Sequence, residues 1–331
     1  MKVSFPGLVD LQVNGFGGID FNRPGLTPDA VITALDRMGE TGVTRCLPTL
    51  ITSSTADFTI AAGVIAGIAD PRIAGLHMEG PYLSPAEGAR GAHPLEHIRD
   101  ASIDDFKRRQ DAARGRIALV TLAPEVAGAV ALTEYLVSSG VRVAIGHTAA
   151  SPEAIADGIA AGATLATHLG NGCPQMLPRH PNVIWELLAA DRIFASFIVD
   201  GHHLPPATVK AMIRAKGTDR AILVTDAIAA AGCKPGRYRI GTVTCELGEN
   251  GRVSLPGTPY LAGSGLTMDR AVANTLAFTG LSFADVVTLA STNPAAYLGI
   301  VPAGTVSADW DPDRNVLRIE SVSTQTSKGS A

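Results

Sequence analysis

Short apolar runs of strand length alternate with segments of helical spacing along most of the chain. Eight such runs predict β-strands, at residues 8–13, 43–48, 73–77, 117–122, 141–145, 164–167, 194–199 and 221–224. Segments 28–40 and 152–161 have apolar residues at helical spacing, and each starts with a pair typical of a helix N-terminus, Thr27-Pro28 or Ser151-Pro152. This alternation favours a (β/α)8 TIM barrel, and a doubly wound open sheet is the alternative that periodicity leaves open.

Two internal stretches and the C-terminal end depart from this alternation. Residues 80–95 follow the third predicted strand, are rich in Gly, Pro and Ala, and show no period; long ordered loops of this kind are often functional. Residues 238–261 predict short strands around Gly248-Glu249-Asn250-Gly251, a β-hairpin inserted after the eighth strand. The Ser-, Thr-, Gly- and Lys-rich end, 323–331, predicts a disordered tail.

Composition and charge narrow the class of protein. The chain has 331 residues, of which 46% are apolar and 18% charged, as is typical of a globular protein with a sizeable core. Its net charge of −4, without a basic block, argues against nucleic-acid binding, and no unbroken apolar stretch is long enough for a membrane span. With no signal-peptide h-region at the start and no metal or redox spacing among the four cysteines, we expect a reduced, cytoplasmic setting.

The polar residues that follow the predicted strands are the main functional signal. In a parallel α/β barrel the reactive groups lie at the carboxyl ends of the strands. One His after a strand is usually an ordinary loop residue, and one Asp is usually the N-cap of the next helix. Here residues suited to metal or proton chemistry follow six of the eight predicted strands, namely Gln12 and Asn14, Glu79, His147, His168, His203 and Asp226. Their recurrence at strand ends favours a shared metal site.

One carboxylate and two imidazoles supply a plausible ligand set. Glu79, His147 and His168 suit a borderline divalent cation such as zinc and leave a coordination position for water. Such a cation lowers the pKa of its water, so Asp226 can take the proton and later give it to a leaving group. His93 and His203 remain to bind substrate or to polarise a carbonyl.

These segments resemble, in order and spacing, the N-acetylglucosamine-6-phosphate deacetylases of the amidohydrolase superfamily. The resemblance extends from Pro6 to Gly299 and implies a metal-dependent hydrolase barrel over 6–300. Members of the family usually form a small β-sandwich from a segment before the barrel and the C-terminal segment, and here we expect only a remnant over 301–322. The motifs that carry the resemblance are Pro6-Gly7-Leu8-Val9-Asp10-Leu11-Gln12-Val13-Asn14-Gly15, His77-Met78-Glu79-Gly80-Pro81, Gly146-His147-Thr148, Thr167-His168-Leu169, Asp200-Gly201-His202-His203, Val224-Thr225-Asp226-Ala227 and Gly263-Ser264-Gly265-Leu266-Thr267-Met268.

The resemblance implies a single metal ion. Glu79, His147 and His168 match the metal ligands of the family. Gln12 and Asn14 stand where many amidohydrolases have a His-x-His pair that holds a second metal, and an amide is a weak, neutral ligand for zinc. We therefore expect one divalent ion, zinc, with iron, manganese or cobalt as alternatives that tolerate the same ligands.

The resemblance also implies roles in catalysis and substrate binding. Asp226 matches the general base and acid, and His203 matches the histidine that polarises the substrate carbonyl. His93, in Gly91-Ala92-His93, matches a sugar-binding histidine. Asn171 and Gly172 match the residues beside the sugar and its phosphate.

The implied reaction is hydrolysis of the acetamide of N-acetylglucosamine 6-phosphate, or of a closely related N-acetyl amino-sugar phosphate, to the amino-sugar phosphate and acetate. Arg179 matches an arginine that reaches the phosphate from the neighbouring subunit, which implies a homodimer. Two alternatives stay open. One is an amidohydrolase for a non-phosphorylated N-acyl sugar or an N-acyl amino acid. The other is a non-catalytic barrel that binds a sugar phosphate, although such a barrel has no need of a proton shuttle such as Asp226.

Overall fold

A computed structural model describes residues 1–240, 243–258 and 260–323 of the chain. Its strands, in chain order, are β1 (Lys2–Pro6), β2 (Leu8–Val13), β3 (Gly15–Phe16), β4 (Ile19–Asp20), β5 (Val43–Ile51), β6 (Leu76–Glu79), β7 (Ile117–Leu122), β8 (Arg142–Ile145), β9 (Leu165–Ala166), β10 (Phe194–Phe197), β11 (Ala221–Leu223), β12 (Gly236–Ile240), β13 (Val243–Leu247), β14 (Val253–Ser254), β15 (Thr305–Asp311) and β16 (Val316–Ser323). Apart from Ser323, the tail predicted over 323–331 lies outside the described residues.

The helices of the same ranges, in chain order, are α1 (Pro28–Gly39), α2 (Thr55–Ala66), α3 (Ile103–Ala112), α4 (Ala129–Ser138), α5 (Pro152–Ala160), α6 (Val183–Ala189), α7 (Pro206–Lys216), α8 (Met268–Thr279), α9 (Phe283–Val287) and α10 (Asn293–Leu298). A 3-10 turn covers Leu95–His97, and a π-helical turn covers Thr288–Thr292. In this part of the chain no helix is both long and apolar enough to span a bilayer.

The main sheet of the described residues has eight parallel strands, in the order β2, β5, β6, β7, β8, β9, β10 and β11. One helix follows each strand, from α1 after β2 to α8 after β11. The two outer strands meet at their carboxyl ends, where Val13 bridges Ala227 in parallel and the Asp226 N–H donates to the Gln12 carbonyl at 2.9 Å. The sheet therefore closes on itself, which confirms the (β/α)8 barrel and excludes an open doubly wound sheet.

The predicted barrel elements are present, with shifts at their ends. The third strand, predicted over 73–77, is observed as Leu76–Glu79, because Ile73 forms only an isolated bridge with Cys46. The predicted helices 28–40 and 152–161 are α1 and α5. Thr27 and Ser151 cap them as expected, since each hydroxyl oxygen accepts a backbone N–H from the first helical turn.

A separate antiparallel sheet joins the two ends of the described chain. β15 lies in its centre and pairs with β1 on one side and β16 on the other. Phe5, Val306 and Trp310 are buried beneath it. The expected boundaries, a barrel from residue 6 and a small domain over 301–322, leave out residues 2–5 of the strand Lys2–Pro6. A five-residue run with two polar positions is a weak strand signal until its partner strand is known.

A second small sheet, β12–β13–β14, follows the last barrel strand in the region of the predicted hairpin. Its turn at 248–251 is closed by a hydrogen bond from the Gly248 N–H to the Arg252 carbonyl at 2.9 Å. Leu247 and Val253 pack with Ile228 in a small apolar cluster of their own. This cluster anchors the inserted sheet on the segment that follows the eighth barrel strand.

Candidate active site

Side chains from three barrel strands meet at one point inside the carboxyl end of the barrel. Glu79 is the last residue of β6, and His147 and His168 follow β8 and β9. Nε2 of His147 and Nε2 of His168 lie 3.2 and 3.1 Å from Oε1 of Glu79, and the two Nε2 atoms are 3.1 Å apart. In the described part of the chain this is the group of side chains that can hold a metal ion. The structure thus brings together the three ligands predicted from sequence.

The donor set fits a zinc-type ion. Ligand atoms about 2.0–2.1 Å from a tetrahedral centre are roughly 3.3 Å from one another, close to the spacing observed here. Nδ1 of His147 lies 3.0 Å from the Ala89 carbonyl, which only accepts hydrogen bonds, so this nitrogen carries the proton and leaves Nε2 free for a metal. Burial would raise the pKa of Glu79, but hydrogen bonds and charge from His147 and His168 hold it well below its usual range.

Backbone strain marks the same residues. Among the described residues, five non-glycine residues have a positive φ, and three of them are His147 at 50°, His168 at 29° and Asp226 at 48°. L-residues rarely adopt this region, and such strain persists only where the surrounding structure imposes it. The strand ends are therefore held in conformations that turn these side chains toward one another.

Asp226 lies beside the ligand cluster and is held by an amide. Nδ2 of Asn14 donates to Oδ1 of Asp226 at 2.7 Å. Burial and the negative charge of Glu79 raise the pKa of Asp226 to about 6, against the opposing charge of His168. A carboxyl group with such a pKa can both accept and release a proton near neutral pH.

Gln12 and Asn14, the positions predicted to be vestigial for a second metal, each contact a key carboxylate. Nδ2 of Asn14 holds Asp226, and Nε2 of Gln12 donates to Oε1 of Glu79 at 2.7 Å. A polar layer lies behind them, in which Asp10 accepts a hydrogen bond from Thr225 Oγ1 at 2.5 Å. The end of the first barrel strand thus supplies one hydrogen bond to Glu79 and one to Asp226.

His93 reaches the site from the loop between β6 and α3. Its ring packs edge-on against His147, with centroids 4.3 Å apart, and its Nε2 lies 3.9 Å from Oε2 of Glu79. Nδ1 of His93 is hydrogen-bonded to Thr52 Oγ1 at 2.9 Å. Burial lowers the pKa of His93 to about 3, so the ring is neutral at physiological pH.

The predicted sugar- and phosphate-binding residues divide into two groups. Asn171 and Gly172 lie at the site: Nδ2 of Asn171 donates to the His168 carbonyl at 3.2 Å, and Gly172 packs against the His147 ring. Arg179 is exposed, on a segment where Met176 and Trp185 are also exposed. The structure of one chain therefore places Arg179 on the surface rather than in the ligand cluster.

His203 lies after β10 and is hydrogen-bonded through Nδ1 to Oδ2 of Asp200 at 2.6 Å. It is close enough to Asp226 for its charge to act on that carboxyl group. The sequence alone indicated no role for Asp200 or Thr52. Asp200 begins an Asp-Gly turn, a signal that could have identified its backbone role, whereas nothing in the sequence around Thr52 indicates its contact with His93.

The chain is similar to curated amino-sugar-phosphate deacetylases from several organisms. Residues 3–328 match the model of the amidohydrolase family. The N-acetylglucosamine-6-phosphate deacetylase of Bacillus subtilis (strain 168) is 34% identical over 325 residues, which cover 94% of this chain and 80% of that protein. The human enzyme of the same name is 35% identical over 335 residues, covering 96% and 80%. The N-acetylgalactosamine-6-phosphate deacetylase of Shewanella sp. (strain ANA-3) is 33% identical over 327 residues, covering 95% and 80%.

Solved structures extend the similarity to the fold. The N-acetyl-D-glucosamine-6-phosphate deacetylase of Mycobacterium smegmatis superposes with a TM-score of 0.89 at 31% identity, covering 98% of this chain and 86% of that chain. A mutant of that deacetylase in complex with N-acetyl-D-glucosamine-6-phosphate matches with the same TM-score, at 32% identity and the same coverage.

Proposed function

The chain belongs to the amidohydrolase family and, within it, to the N-acetylglucosamine-6-phosphate deacetylases, as its motifs predicted, and we propose that it hydrolyses the acetamide of an N-acetylhexosamine 6-phosphate to acetate and the free amine. The observation that carries the proposal is the convergence of Glu79, His147 and His168 beside Asp226. A non-catalytic sugar-phosphate-binding barrel would need no carboxyl group whose pKa is tuned for proton transfer.

In the proposed chemistry a cation and two side chains have separate roles. A divalent ion held by Glu79, His147 and His168 would polarise the acetyl carbonyl and lower the pKa of a water molecule to about 7. Asp226 takes a proton from the attacking water and gives it to the amine nitrogen as the C–N bond breaks. His203 donates a hydrogen bond to the carbonyl oxygen, where negative charge develops. We propose zinc as the ion, because two imidazoles and one carboxylate are a common catalytic zinc set.

The phosphate side of the site is proposed to need a second copy of the chain. His93, Asn171 and Gly172 lie around the ligand cluster and suit contacts with the sugar. Arg179 is exposed on the same segment as Met176, which is 87% exposed, and Trp185, which is 52% exposed. Exposed apolar residues around an arginine are typical of a subunit interface, and a guanidinium binds phosphate through paired hydrogen bonds. We propose a homodimer in the cytoplasm in which Arg179 serves the partner's site.

The proposal is tested by acetate release after zinc loading. The panel comprises N-acetylglucosamine 6-phosphate, N-acetylgalactosamine 6-phosphate, both unphosphorylated sugars and an N-acetyl amino acid. We expect kcat/KM for a phosphorylated sugar to exceed that for its unphosphorylated form by roughly 10²-fold, because charge-assisted hydrogen bonds to phosphate are strong. Zinc analysis should give about one equivalent per chain.

The control for this assay is Asp226→Asn, in which proton transfer is lost but the side-chain volume is kept. We expect its kcat to fall by roughly 10²–10⁴-fold at unchanged zinc content. Equal turnover with and without the 6-phosphate would favour the unphosphorylated-substrate alternative. Acetate release by Asp226→Asn at the parent rate would contradict the proposed mechanism.

A further inference from the structure

A buried carboxylate lies directly behind His203. Oδ2 of Asp200 is 2.6 Å from Nδ1 of His203, and Oδ1 accepts the backbone N–H groups of His202 and His203, both at 2.8 Å. The side chains of Asp200 and His203 are 7% and 12% exposed. One carboxylate therefore fixes both the turn that carries His203 and the ring itself.

The chemistry of this contact determines which ring nitrogen carries the proton. Burial would raise the pKa of Asp200, but hydrogen bonds from the His203 ring and the two backbone amides hold it below its usual range. An ionised carboxylate only accepts hydrogen bonds, so Nδ1 of His203 must be the donor. The opposite nitrogen, Nε2, is then the one left for a ligand.

The backbone around this pair is anchored on α8. Nδ2 of Asn274 donates to the Val199 carbonyl at 2.8 Å. Gly201 has a φ of 78°, and a Cβ added there would meet the Phe278 ring at 3.4 Å. Asp200 is thus attached to a rigid element, and its hydrogen bond transmits that rigidity to the His203 ring.

We infer that Asp200 is a positioning residue for the deacetylation: it keeps the proton of His203 on Nδ1 and directs Nε2 to the acetyl carbonyl. The inference rests on the proposed function, in which His203 contacts the carbonyl oxygen. When Nε2 donates a hydrogen bond to that oxygen, both ring nitrogens carry protons and the ring is positively charged. Asp200 stabilises this charge across the 2.6 Å contact.

The kinetic test uses Asp200→Asn. The amide oxygen can still accept the two backbone N–H groups, but its NH2 group faces Nδ1 and favours the opposite tautomer. In that tautomer Nε2 still donates, but the ring is neutral and has lost the positive charge that Asp200 stabilises, so we expect kcat to fall by roughly 10²-fold, with KM changed less than about threefold. Zinc content and melting temperature should stay at parent values. Asp200→Ser, which keeps a turn-capping oxygen but is too short to reach the ring, should show the same loss.

A double-variant cycle separates positioning from a merely structural role. If Asp200 acts through His203, Asp200→Asn should add no further loss of kcat in a His203→Gln background. A double variant whose loss equals the product of the two single losses would overturn the inference. So would an Asp200→Asn variant that turns over at the parent rate, or one that loses its zinc.

A readout without substrate keeps this inference distinct from the proposed function. In zinc-loaded protein with ¹⁵N-labelled histidine, the His203 signals are those absent from His203→Gln. We expect them to show a protonated Nδ1 in the parent and the opposite tautomer in Asp200→Asn. A bare Nδ1 in the parent would overturn the inference even in an active enzyme. A protonated Nδ1 in a protein that releases no acetate from any panel substrate would instead contradict the proposed function.

Discussion

Single residues at this site are held in states that an isolated chain avoids. His147, His168 and Asp226 have left-handed backbone conformations, each of which costs about 1–3 kcal/mol. Glu79 and Asp10 are carboxyl groups buried inside the barrel. The hydrogen bonds around them, and the metal ion that we propose, offset these costs. At the residue scale, these strained backbones and buried carboxyl groups mark the functional site, because packing alone does not require them.

Asp10 provides a test of the buried polar layer. Burial raises its pKa to about 7 from an ordinary 3.8, against the hydrogen bond from Thr225. Between these two values the folded protein binds more protons than the unfolded chain, so this group makes stability fall as pH rises. We predict that Asp10→Asn removes the effect: from pH 5 to pH 8, the unfolding free energy of the variant relative to the parent should rise by about 3 kcal/mol.

The measurement is urea unfolding of both proteins at each pH. Asp100→Asn, a change at an exposed carboxylate, is the matched control and should leave the pH dependence of stability as it is in the parent. A constant difference between Asp10→Asn and the parent from pH 5 to pH 8 would mean that Asp10 is ionised in the folded protein throughout this range.

At the scale of elements, the loops after the strands hold the ligands in place. The loop after β6 supplies the Ala89 carbonyl that fixes the His147 ring, and it places Gly91 against the same ring. The loop after β9 packs Gly172 against this ring as well, and the Gly172 carbonyl accepts the N–H of Thr148. His147 is therefore positioned by the βα loops that follow β6 and β9 as well as by its own strand.

Gly91→Ala tests this packing. Gly91 has a φ of 59°, and an added Cβ would lie 3.2 Å from Cε1 of His147, so the ring must move. We predict a roughly tenfold or greater loss of zinc affinity, measured by competition with a chelator, because misplacing a ligand's support costs 10–100-fold. Gly115→Ala is the control, since Gly115 has a φ of 75° with nothing within 4 Å of the added Cβ. Equal zinc affinity in the two variants would show that the His147 ring tolerates the methyl group.

At the scale of the whole molecule, the proposed homodimer predicts that two defective variants complement each other when their subunits mix. If Arg179 serves the partner's site, Arg179→Ala and Asp226→Asn should each lose roughly 10²-fold or more of the activity on the phosphorylated sugar, yet restore activity when mixed. Each mixed dimer would hold one complete site. An equal mixture after subunit exchange should therefore reach about a quarter of parental activity. No recovery, in a mixture shown to contain mixed dimers, would mean that Arg179 does not act across the interface.

The sequence by itself determined the alternation of eight strands with helices, and it indicated a barrel and a candidate ligand set. Strand and helix periodicity are local properties, and a parallel barrel brings its strand ends to one face, so residues suited to metal binding that follow predicted strands, such as Glu79, His147 and His168, are expected to lie close together. The motif order then indicated the family. These inferences depend on residue spacing along the chain, which the sequence contains in full.

Only the tertiary structure decided which side chains touch. Lys2–Pro6 becomes a strand because Thr305–Asp311, some 300 residues away, pairs with it. Thr52 is hydrogen-bonded to His93, which lies on a different loop. Asp200 is hydrogen-bonded to His203 within a single turn. A hydrogen bond depends on distances of a few tenths of an ångström. Local sequence preference fixes the type of element but not the position of one element relative to another, and these contacts depend on that position.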